Sequence, residues 1–144
     1  MLVREMISED IPQLAEIYRQ FWGELSDIAK METTFRTLKQ RDTHIFLSAV
    51  ENDELIGTVM GIVCEELYGA CRPFLLIENL IVDKKHRRKG VARLLLAELE
   101  NRARERGCWQ MILVTEADRK DACAFYKVNG FQLNNAGFKK KLPS

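Results

Sequence analysis

The first forty residues alternate hydrophobic and polar positions with the spacings of one strand and two helices. Residues 2–7 switch between apolar and polar side chains, which predicts a strand. A helix is predicted from Ser8-Glu9-Asp10 to about Phe21, because apolar residues then recur at helical spacing. After a loop over residues 22–30, a second, shorter helix is predicted from Glu32 to Gln40. The chain therefore begins in the order strand, helix, helix.

Two apolar, β-branched runs in the middle of the chain predict a β-hairpin. They cover residues 45–50 and 55–64, and Glu51-Asn52-Asp53-Glu54 between them has the composition of a turn. A third run, residues 74–82, is apolar on both faces and predicts a buried strand.

The second half of the chain alternates helices and strands. A helix is predicted from Val91 to Arg106, ended by Gly107, with an inward-facing stripe. The stripe consists of Val91, Leu94, Leu95 and Leu99. A strand over residues 109–114, a helix over 121–128 and one or two closing strands within 131–142 follow. Hairpin strands followed by this alternation predict a mixed sheet with helices on both faces.

Length and charge restrict the class of protein. The chain has 144 residues, which fits one domain over 1–144, with 47% hydrophobic and 30% charged residues. Its 22 basic and 21 acidic residues give a net charge of +1, so neither nucleic acid nor a membrane surface is an expected partner. No signal peptide or membrane span is predicted, which favours a cytoplasmic protein. The four cysteines form no C-x-x-C pair, so no metal site is expected.

The turn after the third apolar run has the composition of an anion-binding site. Residues 87–92 spell R-x-x-G-x-A at the start of the predicted helix, where backbone N–H groups and the helix dipole favour an anion. Gly90 lets the backbone approach a ligand, and small Ala92 leaves room beside it. The turn lacks the Lys-Ser or Lys-Thr of a P-loop and the second glycine of a dinucleotide motif. A solvated basic turn is the alternative.

This turn resembles the acetyl-CoA-binding signature of the GNAT family of N-acetyltransferases, Q/R-x-x-G-x-G/A after a strand. Residues 119–131, RKDACAFYKVNGF, resemble the family's second signature, a helix with A-x-x-F-Y followed by a turn and Gly-Phe. The resemblance implies an α/β fold with a twisted, mixed, mostly antiparallel sheet of about six to seven strands and about four helices. It also implies acetyl transfer from acetyl-CoA, without a metal, to a primary amine that attacks directly within a ternary complex.

Two residues are implied as catalytic. Glu78 lies in an apolar strand, where a carboxylate is costly without a partner or a task, and the family often has a carboxylate there that acts as base, directly or through water. Alternatively, strand alternation sends Glu78 to a solvated or salt-bridged position. Tyr126 occupies the position of the family's general acid. Without the motif it would be interpreted as a core aromatic, because it continues a helical stripe with Ala122 and Phe125.

The resemblance also implies how acetyl-CoA is held. Leu80, Ile81 and Val82 lend backbone groups to the pantetheine arm and the thioester carbonyl, and a bulge in their strand would open a slot beside the next strand. The pyrophosphate is held by the amides and cationic side chains of Arg87, Arg88, Lys89, Gly90, Val91, Ala92 and Arg93. Arg119 replaces an Asn of many relatives, and either meets a phosphate or caps its helix.

The acceptor is expected near the loop between the first two helices, where the family commonly recognises it. Trp22 and Glu24 suit a cationic amine, although Trp22 could instead cover the core. Glu65 and Tyr68 are weaker candidates of the same kind. The second signature is similar to that of small-molecule acetyltransferases. Protein lysine or N-terminal acetylation and a non-catalytic acyl-CoA-binding module remain alternatives, and because the family's members are often dimers, a homodimer is also open.

Overall fold

A computed structural model describes all 144 residues, which form two compact units, Met1–Ile112 and Leu113–Ser144. The first unit contains strands β1 (Leu2–Glu5), β2 (His44–Glu51), β3 (Glu54–Cys64), β4 (Phe74–Val82) and β5 (Met111–Ile112). It also contains helices α1 (Ile11–Trp22), α2 (Ile28–Gln40) and α3 (Val91–Glu105), and short 3-10 turns at Ser8–Asp10 and Lys84–His86. The second unit contains α4 (Lys120–Val128). No helix is long and apolar enough to cross a bilayer.

The sheet is mixed and mostly antiparallel, as predicted. Its strand order is β1-β2-β3-β4-β5, in which only β4 and β5 are parallel, over Leu75–Met111 and Leu76–Ile112. The predicted hairpin is formed by β2 and β3. Its turn residues Asn52 and Asp53 have φ of 51° and 63°, the left-handed conformation that a tight hairpin turn requires and that Asn and Asp tolerate.

The predicted strand count was wrong. The sheet has five strands rather than six to seven, the strand expected over residues 109–114 is only Met111–Ile112, and no strand forms within residues 131–142. That last segment contains Asn134-Asn135-Ala136-Gly137, which has poor strand propensity, and three consecutive lysines, Lys139 to Lys141, which repel one another. Most of its residues are exposed, so burial does not compensate for these costs.

Two glycines let α3 pack closely against one face of the sheet. A Cβ on Gly57 would lie 3.0 Å from Val91 Cγ1 and 3.2 Å from the Ile81 carbonyl oxygen. A Cβ on Gly61 would lie 2.8 Å from Leu99 Cδ1. Since Gly57 pairs with Val82, the first turn of α3 is held over the end of β4.

The predicted stripe of α3 was correct except at Leu94. Val91, Leu95 and Leu99 are buried, whereas Leu94 is 43% exposed and Leu96 is buried in its place. The buried stripe follows spacings of four residues, and Leu94 lies beside it. The outer face of α3 is held by ion pairs between Glu98 and Arg102 and between Glu100 and Arg104.

Helices α1 and α2 cover part of the opposite face. Their apolar residues form a buried cluster with two residues of the sheet, Leu55 and Ile81, and Phe46 of β2 packs against it. Helix α2 begins earlier than predicted because Asp27 caps it, accepting a hydrogen bond from the Lys30 backbone N–H at 3.1 Å. Helices therefore lie on both faces, as predicted, and α1 runs towards β4.

Candidate active site

Strand β4 is bulged beside Glu78. Thr58 pairs with Ile81 and Met60 pairs with Glu78, so Asn79 and Leu80 together oppose a single residue of β3. Asn79 has φ of 55°, a left-handed conformation that asparagine tolerates better than most residues. On its other side, β4 pairs with β5 only through Leu75 and Leu76. The backbone of residues 77–82 therefore has no strand partner on that side.

Glu78 is exposed beside the bulge. Its carboxylate forms no ion pair or hydrogen bond with another side chain. Of the two alternatives to a catalytic role, the solvated position is therefore the one observed, and the salt-bridged one does not apply. Its neighbours on the same face are the cross-strand residue Met60 and, one pair along, Leu76 and Ile62, all half-buried. The carboxylate thus lies at the margin of an apolar surface.

The C-terminal end of α1 reaches the bulge. Burial raises the pKa of Tyr18 in α1, and a hydrogen bond to Asn79 partly offsets that increase. The Tyr18 ring lies edge-on to Trp22, with 5.3 Å between centroids. Asn79 was not among the predicted site residues, although a residue of low strand propensity inside an apolar strand was a signal for it.

The predicted acceptor residues lie on exposed segments. Trp22 is 51% exposed and Tyr68 is 80% exposed, so Trp22 covers little of the core. Glu24 and Glu65 are exposed, and their side chains make no hydrogen bond or ion pair within the chain. The aromatic contact with Tyr18 places Trp22 beside the bulge, whereas no contact links Glu24, Glu65 or Tyr68 to Glu78.

The basic turn leads into a helix N-terminus that no side chain caps. Gly90 is the N-cap of α3, with φ of 81°, and a Cβ there would meet nothing within 4 Å. The N–H groups of Val91, Ala92 and Arg93 have no acceptor within the helix. They are therefore available to an anion, which the helix dipole and the surrounding cationic side chains favour.

The cationic side chains of this turn are solvent-accessible. Arg87, Arg88, Lys89 and Arg93 are all exposed. Arg87 is tied back to β4, because its Nε donates to the Val82 carbonyl at 3.2 Å. Ile81 is buried and Leu80 and Val82 are half-buried, so only their backbone groups suit a ligand. Open amides beside four cations have the chemistry that a diphosphate requires.

Tyr126 lies on α4 in the second unit. Its half-buried ring contacts Phe125 and Phe131 edge-on, with centroids 5.3 Å and 5.6 Å away. Burial raises the pKa of Tyr126, Arg119 lowers it by less, and Cys123 raises it slightly. Its hydroxyl has no hydrogen-bond partner within residues 113–144. Arg119 is the N-cap residue of α4, but its side chain makes no capping hydrogen bond.

Comparisons with known proteins agree with these features. The profile of the acetyltransferase (GNAT) family matches residues 11–131. The uncharacterized N-acetyltransferase YhfO of Bacillus subtilis (strain 168) is 25% identical over 147 residues, covering 96% of this chain and 93% of that protein.

Two solved structures share the fold over nearly the whole chain. One, described as an acetyltransferase from Agrobacterium tumefaciens str. C58, has a TM-score of 0.92 at 23% identity, covering 99% of this chain and 100% of that one. The other is AAC(6')-Iy in complex with the bisubstrate analog CoA-S-monomethyl-acetylneamine. It has a TM-score of 0.83 at 19% identity, covering 99% of this chain and 98% of that one. At these identities, the likeness concerns the fold.

Proposed function

The chain belongs to the GNAT family of acetyltransferases, and we propose that it transfers the acetyl group of acetyl-CoA to a primary amine of a small molecule. The amine attacks the thioester directly within a ternary complex. The observation that carries the proposal is the path from β4 to α3, where a bulged strand leads into an uncapped helix N-terminus.

Acetyl-CoA supplies the acetyl group and the leaving thiol. Groups of this chain suit the diphosphate at one end of acetyl-CoA and the thioester at the other. The amides at the start of α3 and the exposed cations of the turn hold the diphosphate. The backbone of Leu80 to Val82 lacks a strand partner on one side and hydrogen-bonds the pantetheine arm. A carbonyl held by a fixed backbone N–H is polarised towards attack.

Glu78 takes the proton of the amine. An amine with a pKa near 10.4 is only about one part in 10³ neutral at pH 7, a penalty of about 5 kcal/mol. A free carboxylate beside an apolar surface reduces this penalty by accepting the proton, directly or through water. Tyr126 is the donor that protonates the departing thiolate, since a tyrosine phenol, with an ordinary pKa of about 10, is protonated at neutral pH.

The acceptor is proposed to be small because the surface beside Glu78 is apolar. Met60, Ile62 and Leu76 can contact the body of an amine, while Trp22 at the end of α1 offers its ring to a cation. The complex of AAC(6')-Iy with an analog containing acetylneamine supports this choice, because it joins CoA to a small-molecule amine in a protein of the same fold.

An amine panel tests the proposal by following release of the CoA thiol. The panel contains arylalkyl monoamines, polyamines, aminoglycosides, and peptides with a free lysine or N-terminus. We expect at least one small amine to exceed every peptide by about tenfold or more in kcat/KM, a margin of about 1.4 kcal/mol. A preference for peptides would contradict the small-molecule acceptor. Tight acetyl-CoA binding with no amine-dependent thiol release would indicate a non-catalytic acyl-CoA-binding protein.

A further inference from the structure

We propose that Gln20, Asp83 and His86 form a positioning cluster. The cluster holds residues 84–93, the diphosphate turn, in the conformation that binds acetyl-CoA. The inference rests on the proposed function, because it takes residues 84–93 as the segment that binds the diphosphate of acetyl-CoA. The three side chains act through the backbone of the turn rather than by contact with the ligand.

Gln20 connects α1 to the start of the turn by both ends of its amide. Its Nε2 donates to Asp83 Oδ1 at 2.9 Å, and its Oε1 accepts from the Lys84 backbone N–H at 3.2 Å. Two bonds from one side chain fix both the position and the orientation of the chain where it leaves β4. Helix α1 is itself fixed by its buried apolar residues, which pack against Leu55 and Ile81 of the sheet, so it provides a rigid support.

Asp83 and His86 hydrogen-bond to each other at the start of the turn. Asp83 Oδ2 lies 2.9 Å from His86 Nδ1, and the His86 backbone N–H donates to the Asp83 carbonyl at 2.9 Å. The Asp83 N–H donates to the Ile56 carbonyl at 2.9 Å, which ties the cluster to β3. On the far side of the imidazole, Nε2 lies 3.8 Å from Glu51 Oε2. The two contacts between Asp83 and His86 therefore close the start of the turn, and the contacts with Ile56 and Glu51 tie it to the hairpin β2–β3.

The cluster is shielded from solvent and charged. The side chains of Asp83 and His86 are only 16% and 18% exposed. Burial would raise the pKa of Asp83, but the hydrogen bonds from Gln20 and His86 outweigh it and lower the pKa. The carboxylate is thus ionised at neutral pH, and its hydrogen bonds are of the stronger, charge-assisted kind.

The segment that follows needs such support. Arg88 and Gly90 both have left-handed backbone, with φ of 61° and 81°, so the turn adopts an uncommon conformation just before the open amides of α3. A turn ordered before the ligand arrives loses less entropy on binding. Loss of the cluster should therefore weaken acetyl-CoA binding and leave the chemical step at Glu78 unchanged.

An exchange of amide and carboxylate tests the cluster. Gln20→Glu sets a carboxylate against Asp83, and we expect it to raise the acetyl-CoA Kd about tenfold in calorimetry. Gln20→Glu combined with Asp83→Asn restores one acid and one amide, keeps the net charge, and again allows bonds to the Lys84 N–H and to His86. We expect the double variant to bind within about threefold of the wild type.

A truncated donor separates positioning from general damage to the fold. S-acetylpantetheine lacks the nucleotide and its diphosphate, so its kcat/KM should be the same in Gln20→Glu and the wild type. With acetyl-CoA, KM should rise while kcat is retained. Equal losses with both donors, or no recovery in the double variant, would overturn the positioning role.

A matched glutamine on the same helix serves as the control. Gln13 Oε1 accepts from the Leu55 backbone N–H at 2.6 Å, and its side chain forms no hydrogen bond with Asp83, Lys84 or His86. Gln13→Leu should lower only the Tm, whereas Gln20→Leu should also raise the acetyl-CoA Kd. A folded Gln20→Leu protein with wild-type affinity would overturn the inference. Absence of acetyl-CoA binding by the wild type would instead refute the proposed function.

Discussion

At the scale of single residues, Glu78 is the group on which the proposed chemistry depends most. Glu78→Gln keeps the shape of the side chain and removes its ability to accept a proton. We expect kcat to fall about 10²-fold at neutral pH, with little change in the acetyl-CoA Kd, because the lost interaction belongs to the transition state. Steady-state kinetics over a pH series and calorimetry measure both quantities.

Glu54→Gln is the control for this prediction. Glu54 is an exposed glutamate at the start of β3, so its replacement makes the same chemical change in the same sheet. Wild-type turnover is expected for Glu54→Gln. A wild-type rate and pH profile in Glu78→Gln would remove Glu78 from the mechanism.

Tyr126 is the second residue whose role a conservative substitution can separate from packing. Tyr126→Phe deletes the hydroxyl and keeps the ring contacts with Phe125 and Phe131, so the Tm should barely change. If the phenol protonates the thiolate, kcat should fall roughly 10- to 10³-fold with a small effect on the acetyl-CoA KM. Full turnover in Tyr126→Phe, with only a loss of stability in Tyr126→Ala, would mean that Tyr126 is a core aromatic.

The environments of these residues were only partly predictable. The identity of Glu78 and Tyr126 as candidates came from motifs, which are visible in sequence. Glu78 is exposed because β4 alternates regularly up to it, with Ile77 buried and Leu76 half-buried. The continuous apolar run over residues 74–82 was interpreted as buried on both faces, and this alternation shows that one face is partly exposed.

At the scale of secondary structure elements, Asp10 joins β1, β2 and the start of α1. Its carboxylate accepts hydrogen bonds from Arg4 at 2.8 Å and 2.9 Å, from the Ser48 hydroxyl at 2.9 Å and from the Ile7 N–H at 3.1 Å. Burial alone would raise the pKa of Asp10, but these bonds together lower it. Asp10→Asn should therefore cost about 1.5 to 3 kcal/mol in the free energy of unfolding at pH 7.

The sign of the pH dependence follows from the lowered pKa. The stabilisation by Asp10 is complete above its unfolded-state pKa of about 3.9 and is lost as the pH falls through the lower folded-state value. Denaturant unfolding of the wild type and Asp10→Asn should show a difference in the free energy of unfolding that becomes smaller below about pH 4. The exposed Glu16, paired with Arg19, is the control, since Glu16→Gln should change stability little. A constant difference for Asp10→Asn down to pH 2 would contradict this account.

Elements with strong local signals were predictable, and those that depend on distant partners were not. The hairpin β2–β3 has its turn residues in sequence, and α1 and α3 have clear apolar stripes. The early start of α2 was missed because Asp27 was not recognised as its cap. Residues 131–142 contain apolar positions such as Leu133 and Phe138, which favoured a strand, but the low strand propensity of the residues between them outweighs this signal.

At the scale of the whole molecule, two short motifs were enough to identify the family. The turn at residues 87–92 lies in the first unit and the helix over residues 120–128 lies in the second, and the family profile extends across both. The positioning cluster was not predictable, because Gln20 and Asp83 are far apart in the sequence and neither belongs to a motif. Contacts of this kind arise only when the fold brings α1 to the end of β4.

Binding of acetyl-CoA at the N-terminus of α3 depends on Gly90. Gly90→Asp would place a carboxylate at the open amides, where it would occupy them and repel a diphosphate. A Cβ at this position meets nothing within 4 Å, so the variant should fold despite the left-handed backbone. Gly107→Asp is the matched control, because Gly107 has φ of 74° and equally open surroundings beyond the other end of α3.

Calorimetric titration of acetyl-CoA into these three proteins is the most direct test. We predict that the wild type and Gly107→Asp bind with similar Kd, and that Gly90→Asp binds roughly 10²-fold more weakly because diphosphate contacts are charge-assisted. Unchanged acetyl-CoA affinity in folded Gly90→Asp would contradict the placement of the diphosphate at this turn.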